Sequence, residues 1–213
     1  DYVIIANPDI HVTPRCIRRV KDALDKTQGA VAASARVKDP MGGELFSYWT
    51  LLPLWKDLLD TGLVTRRLFK AMLNMPSYRL GYGGDEDCRL VDAVPGSFFM
   101  LKTGILTPGE IKEVFDKHIF LYYEEKVLGQ KFRKMGLKTV LVTDESYVHA
   151  HSVSIDKSFK RIVDKQRLLH RSKLYYYKEY LGTGPAGMAA ARAVLGLVLA
   201  EVWFLTVVCR MRW

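Results

Sequence analysis

Two runs of small and β-branched residues near the start of the chain constrain its fold more than any other feature. Residues 3–6 (VIIA) and residues 30–37 (AVAASARV) are apolar and as short as buried strands. Between them, Thr13 and Pro14 are typical of a helix N-terminus, and apolar residues then recur at helical spacing up to Gly29. This order predicts a parallel βαβ unit with both strands buried in a parallel sheet, and therefore an α/β fold.

The composition excludes several classes of protein. The chain has 213 residues, of which 49% are hydrophobic and 26% charged, so it can bury a core and is not a mainly disordered polypeptide. Its three cysteines lie far apart without metal-ligand spacing, which argues against a disulfide framework or a zinc site and favours a reducing compartment. The formal charge of +9 favours an anionic partner, which is a nucleic acid, a phosphorylated small molecule or an acidic lipid surface.

A candidate site for proton or metal chemistry lies within residues 91–154. Gly96 stands in a turn between two short strands, where it either lets the backbone approach a ligand closely or only makes the turn tight. An aromatic run then ends on Glu124 and Glu125, which the helical spacing of the following apolar residues places on the first turn of a helix. The helix dipole alone favours acidic residues there, but two adjacent carboxylates also predict a raised pKa and a general base.

Polar residues also follow two of the expected strands. His149 and His151 come after the β-branched run 139–143, in YVHAH, which can be a strand end, and residues two apart on a strand face the same way. Both rings can therefore reach one metal or phosphate site, with a purely structural role as the alternative. Asn7 and Asp9 follow the first strand at its carboxyl end, where open α/β sheets bind ligands. Asp9 is a candidate metal ligand, and a simple turn is the alternative.

The C-terminal part changes in composition. Residues 159–181 form a basic, tyrosine-rich helical pattern, residues 182–187 (GTGPAG) break it, and residues 188–208 are almost wholly apolar. Tyrosines between cations suit nucleic-acid binding, whereas a basic aromatic helix followed by an apolar one suits a membrane surface. A helical hairpin packed on protein is the third alternative. Because Glu201 falls near the middle of the apolar run and is costly at the bilayer centre, we expect a tail that lies on the membrane.

Four of these segments, taken in order, resemble the family 2 glycosyltransferases with the GT-A fold, especially the bacterial enzymes that build capsular or exopolysaccharide. The segments are NPD after a strand, PGSFF, FLYYEE opening a helix, and GLKTVLVTDESYVHAHSVS, and their order and spacing match over Asp1 to about Ser158. The resemblance implies a GT-A-like (Rossmann-like) mixed sheet flanked by helices, followed by a C-terminal helical tail. The nucleotide-binding half of that fold has no counterpart here and is expected to precede Asp1, so the chain alone is expected to be inactive.

The resemblance also implies roles for individual residues. Asp9 and His149 would hold a divalent metal, Mg or Mn, and Glu125 would be the catalytic base with Glu124 beside it. The residues implied in donor or acceptor binding are Asn7, Gly96, Ser97 and His151. Two positions depart from the family pattern, because Asn7 stands where the metal motif has its first Asp, and the pair Glu124 and Glu125 stands where many relatives have Glu-Asp.

The implied function is that of an inverting glycosyltransferase of the hexosyltransferase type. It would move a sugar from a nucleotide-diphosphate donor to a hydroxyl of a growing cell-surface polysaccharide or a lipid-linked acceptor, on the cytoplasmic face of a bacterial membrane. Residues 1–158 would be the C-terminal part of the GT-A domain, and residues 159–213 a membrane-associating tail. No nucleic-acid partner is expected in this interpretation. The alternative is a non-catalytic basic module that binds anionic lipid or nucleic acid.

Overall fold

The computed structural model describes residues 1–69, 73, 87–119, 121–150 and 162–210. The chain forms two compact units, each assembled from three separate stretches. Unit 1 consists of Asp1–Leu51, Pro76–His118 and Glu124–His151, and unit 2 consists of Leu52–Met75, Ile119–Tyr123 and Ser152–Trp213. The domain boundary expected at residue 158 falls outside the described residues and stays a prediction.

Unit 1 is built on a mixed sheet, which confirms the α/β class. The strands are β1 (Tyr2–Ala6), β2 (Ile10–His11), β3 (Ala30–Lys38), β4 (Cys88–Val91), β5 (Phe98–Lys102) and β6 (Lys138–His149). Their order is β1-β5-β3-β6-β2, and β4 also pairs with β6. Only β3 and β6 pair in parallel among the described strands; the other pairings are antiparallel.

The prediction that the first strand is buried in a parallel sheet is wrong. β1 pairs antiparallel with β5 and is the end strand of the order, so Val3 and Ile4 remain 48% and 44% exposed. β5 lies between β1 and β3 and pairs antiparallel with both, so the two strands of the expected βαβ unit run in the same direction without being neighbours. The later strand β5 takes the position between them, and this choice depends on contacts between distant parts of the chain.

The helices are α1 (Pro14–Lys26), α2 (Leu54–Leu59), α3 (Leu63–Leu68), α4 (Pro108–Glu113), α5 (Glu124–Lys134), α6 (Ile162–Glu179) and α7 (Pro185–Trp203). In unit 1, α1 begins as the sequence predicts, because the Thr13 side chain accepts a hydrogen bond from the Cys16 amide at 3.1 Å. Successive residues of β5 point to opposite faces of the sheet and pack in two different cores. Phe98 packs in the core that includes α1, and Phe99 packs in the core that includes α5, so helices cover both faces of the sheet.

Unit 2 is helical in its described part. α6 and α7 form a hairpin through a short connection in which Gly182 has a φ of 61°. α7 continues as a π-helical stretch, Phe204–Val208. Its buried side chains recur at three- and four-residue spacing, so one face of the helix packs against protein along its whole length; they are Met188, Ala191, Leu195, Val198 and Val202.

Glu201 on α7 has partners that the sequence did not indicate. Its carboxylate accepts hydrogen bonds from the backbone amides of Leu63 and Val64, both at 3.2 Å. The amides of the first turn of a helix have no acceptor within the helix. Glu201 therefore caps α3, and its negative charge is favourable at that helix N-terminus. The residue that we expected to be costly within an apolar helix therefore fixes α3 beside α7.

Candidate functional site

The chain enters α5 through two residues in an unusual backbone conformation. Tyr122 and Tyr123 have φ values of 66° and 73°, in the left-handed region that side chains other than glycine rarely adopt. Glu124 and Glu125 follow immediately and form the first turn of α5, as the sequence predicts. A backbone conformation of this kind costs free energy and is found most often at functional sites. The entry to α5 is therefore a candidate functional site.

Glu125 is held by the backbone of the Gly96 turn. The Gly96 amide donates a hydrogen bond to Glu125 Oε1 at 3.2 Å. A Cβ atom on residue 96 would lie 3.2 Å from the same oxygen, so a larger residue would press on the carboxylate. Close approach at Gly96 was one of the two alternatives from the sequence, and the group that approaches is a carboxylate of the same protein.

Ser97 connects this turn to the end of β1 and to β6. Its carbonyl oxygen accepts a hydrogen bond from the Asn7 amide at 2.8 Å, and its hydroxyl shares a 2.7 Å hydrogen bond with the Tyr147 hydroxyl. Ser97 is 7% exposed and Tyr147 is 1% exposed, so the connection is buried. Three sequence-predicted positions, Asn7, Gly96 and Ser97, therefore lie in one contiguous arrangement with Glu125.

Asp9 and His149 meet at the pairing of β2 with β6. Ile10 lies opposite His149 in the register, and the Asp9 carbonyl accepts a hydrogen bond from the Ala150 amide at 3.1 Å. This pairing brings Asp9 Oδ1 to 3.4 Å from His149 Nε2, with side chains 28% and 12% exposed. The strand pairing thus brings together two predicted site residues that lie far apart in the chain, and their role as metal ligands stays a prediction.

The Asp9 and His149 pair fits a metal ion that is shared with a substrate. Within the described ranges, no group of three or more His, Cys, Asp or Glu side chains is arranged to hold a metal. A carboxylate and an imidazole suit Mg or Mn, which commonly bind one or two protein ligands and complete their coordination with phosphate oxygens and water. Asp9 and His149 alone would leave most of the coordination sphere of such an ion to other ligands.

The two glutamates differ in their environment. Burial, and secondly the charge of Glu125, raise the pKa of Glu124 to about 7. Burial also raises the pKa of Glu125, but its own amide and the Gly96 amide oppose this rise by stabilising the carboxylate. Near neutral pH Glu124 is therefore about half protonated, and Glu125 has amide donors that favour its charged form. A pair of this kind can accept and hold a proton.

One site prediction falls outside the description, and one buried partner was missed. His151 lies outside the described residues, so its donor or acceptor role stays a prediction. Tyr147, which hydrogen bonds to Ser97, was not predicted, although it stands two residues before His149 on β6 and alternation places both on one side of the strand. That alternation was the signal that identifies it.

A second polar cluster, also missed, lies in unit 2 around Asp57. Asp57 Oδ2 accepts hydrogen bonds from the hydroxyls of Tyr123 at 2.5 Å and Tyr177 at 2.6 Å, and from Lys173 Nζ at 3.0 Å. The Lys173 and Asp57 side chains are 5% and 1% exposed. Burial and the Asp57 charge raise the pKa of both tyrosines, so they stay protonated donors. The four-residue spacing of Lys173 and Tyr177 on one helix face was the available signal.

Comparison with models of known protein families finds none that matches this chain, and comparison with curated proteins finds no relative. Function is therefore inferred from the geometry and chemistry of the site.

Proposed function

We propose that the protein is the catalytic part of an inverting glycosyltransferase with a GT-A-like fold. It moves a sugar from a nucleotide-diphosphate donor to a hydroxyl of a saccharide or lipid-linked acceptor, in the building of bacterial cell-surface polysaccharide at the cytoplasmic face of the membrane. The observation that carries the proposal is the Glu125 carboxylate, which is held by the Gly96 amide at the start of α5 beside a second, partly protonated glutamate.

Glu125 is the base in this proposal. It accepts the proton of the acceptor hydroxyl as that oxygen forms a bond to the anomeric carbon, and the bond from that carbon to the diphosphate oxygen breaks on the opposite side. Attack opposite the leaving group inverts the anomeric configuration. The Gly96 amide orients the Glu125 carboxylate, and protonation of Glu124 relieves the repulsion between the two side chains.

Asp9 and His149 would hold Mg or Mn, which when bound neutralises charge on the departing diphosphate. Their separation of 3.4 Å and partial exposure leave both ligands accessible to a substrate. Asn7 and Ser97 lie next to the Gly96 turn through backbone hydrogen bonding, which is consistent with the proposed contact to donor or acceptor at this edge of the sheet.

The rival function, a basic module that binds nucleic acid, needs exposed tyrosines and cations on the C-terminal helices. Tyr176 and Tyr177 are both fully buried, and Lys173 is engaged with Asp57 in the interior. These three side chains cannot stack on bases or contact phosphates. This burial favours the glycosyltransferase over the nucleic-acid alternative.

Substitutions at the two sites separate the role of the base from the role of the metal ligands. Glu125→Gln keeps the shape and removes the basicity, so it should lower turnover about a hundredfold or more with little change in donor affinity. Asp9→Ala should instead abolish manganese-dependent donor binding, measured by calorimetry, while the circular dichroism spectrum is unchanged. Glu124→Gln is the matched control for Glu125→Gln.

The outcome of the Glu124→Gln control decides the assignment of the base. Near-normal turnover in Glu125→Gln combined with lost turnover in Glu124→Gln would exchange the roles of the two glutamates. Near-normal turnover in both variants would refute the proposed chemistry. Unchanged metal-dependent binding in both Asp9→Ala and His149→Ala would refute the metal assignment.

A further inference from the structure

The outer face of α7 is an uncovered apolar surface. The stretch Pro185–Val208 has 24 residues, is long and apolar enough to cross a membrane, and has only 22% of its most apolar window buried. One face packs within unit 2, and the residues on the other side are exposed. Every exposed residue between positions 189 and 208 except Arg192 is apolar, and the large ones are Leu197, Trp203, Phe204, Val207 and Val208. Contiguous exposure of this kind indicates a partner or a membrane.

α3, which Glu201 holds beside α7, also has exposed apolar residues. Glu201 binds the first amides of α3 and so fixes that helix at the side of α7. Val64 and Leu68, four residues apart on α3, are 55% and 73% exposed, and Phe69 follows at 37%. We call the exposed apolar residues of α3, Phe69 and the stretch Pro185–Val208 together the apolar surface. All of these residues lie within unit 2.

Cations border the apolar surface. On α3 the exposed Arg67 lies beside Val64 and Leu68 by helical spacing, whereas Arg66 lies on the other side of the helix and pairs with Asp60 at 3.3 Å. Arg192 and Arg210 lie towards the two ends of the helical stretch and are also exposed. Trp203 is half exposed near the C-terminal end, as is typical of an aromatic side chain at a membrane interface. An apolar surface bordered by arginines is complementary to a leaflet of anionic lipid, to which each such cation adds an electrostatic attraction.

The packing of α6 argues against a spanning orientation of α7. A helical stretch of 24 residues is about 36 Å long, enough to cross a hydrocarbon core of about 30 Å. However, α6 packs along α7 in the hairpin and carries Arg167, Arg171 and Lys178 exposed on its surface. If α7 crossed the bilayer, α6 would bring these charges into the hydrocarbon, where each is strongly unfavourable. With α7 in the plane of the interface, the charged side chains of α6 can stay in water.

We propose that unit 2 is a monotopic membrane anchor, in which α7 lies in the plane of an anionic phospholipid leaflet and α3 enters the same leaflet beside it. The uncovered faces of α7 and α3 contact the acyl boundary, the bordering arginines contact lipid phosphates, and the Glu201 carboxylate keeps its hydrogen bonds from the α3 amides. This anchor does not depend on the glycosyltransferase chemistry, so either proposal can fail without the other.

Sedimentation of the purified protein with preformed vesicles tests the anchor, using phosphatidylglycerol mixed with phosphatidylcholine and phosphatidylcholine alone. The protein should partition preferentially to the anionic vesicles. Leu197→Gln on α7 and Leu68→Gln on α3 should each weaken partitioning about fivefold or more, because each removes the burial of one leucine side chain. Leu90→Gln is the matched control, since Leu90 is 56% exposed but lies on β4 of unit 1.

Each outcome of this experiment is decisive for a stated part of the proposal. The anchor would be overturned if the protein bound neither kind of vesicle, or if all three leucine variants lost partitioning equally. Loss in Leu197→Gln with normal binding of Leu68→Gln would overturn the contribution of α3. Equal partitioning to neutral and anionic vesicles would overturn the role of the arginines. Unchanged circular dichroism in the variants shows that the fold is retained.

Labelling with a membrane-impermeant maleimide distinguishes an in-plane helix from a spanning one. Cys209 is exposed at one end of the helical stretch, and Ala186→Cys supplies a second thiol at the other end. For protein added to preformed vesicles, we expect both thiols to react before detergent is added, with mass spectrometry identifying the labelled positions. Protection of one of the two thiols until detergent is added would show that the helix spans, and would overturn the in-plane arrangement.

Discussion

At the scale of single residues, the pKa of Glu124 links the candidate site to stability. Its pKa is about 7 in the folded protein against an ordinary value of 4.5, so the unfolded chain ionises first as pH rises. Ionisation then favours unfolding, and this cost accumulates between pH 4.5 and about 7. Glu124→Gln removes the cost. We therefore expect the variant to gain stability over the parent protein by about 1 to 2 kcal/mol more at pH 8 than at pH 5, after allowance for partial solvent screening.

Denaturant unfolding at the two pH values measures this difference, and Glu110→Gln is its control. Hydrogen bonds from the Thr107 amide and hydroxyl lower the pKa of Glu110, so that residue is ionised in both folded and unfolded chains above pH 5. The stability difference caused by Glu110→Gln should therefore be the same at pH 5 and pH 8. An equally constant difference for Glu124→Gln would contradict the raised pKa of Glu124.

At the scale of elements, α5 is positioned by a glycine in its middle. A Cβ atom on Gly129 would meet the Asp92 carbonyl oxygen well inside van der Waals contact, so the helix lies close to the Asp92 backbone only because residue 129 has no side chain. Gly129→Ala should lower stability by about 1 to 3 kcal/mol, since the clash with backbone outweighs the better helix propensity of alanine. It should also reduce turnover, because displacement of α5 moves Glu125 from the Gly96 amide.

Gly196 on α7 provides the matched control for the Gly129 substitution. It is also a mid-helix glycine, and a Cβ atom at that position would meet nothing within 4 Å. Gly196→Ala should therefore raise stability by about 0.5 to 1 kcal/mol through helix propensity alone. Thermal unfolding of both variants measures the two effects. Equal stabilisation by Gly129→Ala would show that α5 can shift freely, and that its approach to Asp92 is not required.

At the scale of the whole molecule, each of the two units is assembled from distant stretches of the chain. In unit 2, the Asp57 cluster connects three such segments. It connects α2, the segment that ends at Tyr123, and α6 through a single buried carboxylate. Lys173→Met leaves that carboxylate without its cation, so it should destabilise the protein by about 3 to 5 kcal/mol. Tyr177→Phe removes one hydrogen bond and should cost about 1 to 3 kcal/mol.

A double substitution and a neighbouring lysine complete this test, with urea unfolding as the measurement. Asp57→Asn combined with Lys173→Met should cost less than the sum of the two single changes, because neither partner then leaves an unpaired buried charge. Lys178→Met should change stability by no more than about 0.5 kcal/mol, since Lys178 is largely exposed and pairs only at the surface with Glu179. Additive losses in the double variant would show that Asp57 and Lys173 do not act as a pair.

The sequence by itself determined what depends on near neighbours along the chain. The Thr13 and Pro14 signal gave the start of α1, the apolar spacing after Glu125 placed both glutamates on the first turn of α5, and the break at residues 182–187 separated α6 from α7. Caps, propensities and periodicity act within a few residues, so these features could be predicted. The pairing of Asp9 with His149 was expected only because the resemblance supplied the long-range order.

Only the tertiary structure decided which distant groups meet. β5 took the place between β1 and β3, and this left β1 at the end of the strand order with Val3 and Ile4 exposed. The Gly96 amide binds Glu125, and Glu201 caps α3 from a position 137 to 138 residues away in the chain. Several strands of this chain are apolar enough to pair beside β1, and several carboxylates could accept a hydrogen bond from a backbone amide. The choice among them is set by the summed packing of the core, which no single stretch of sequence contains.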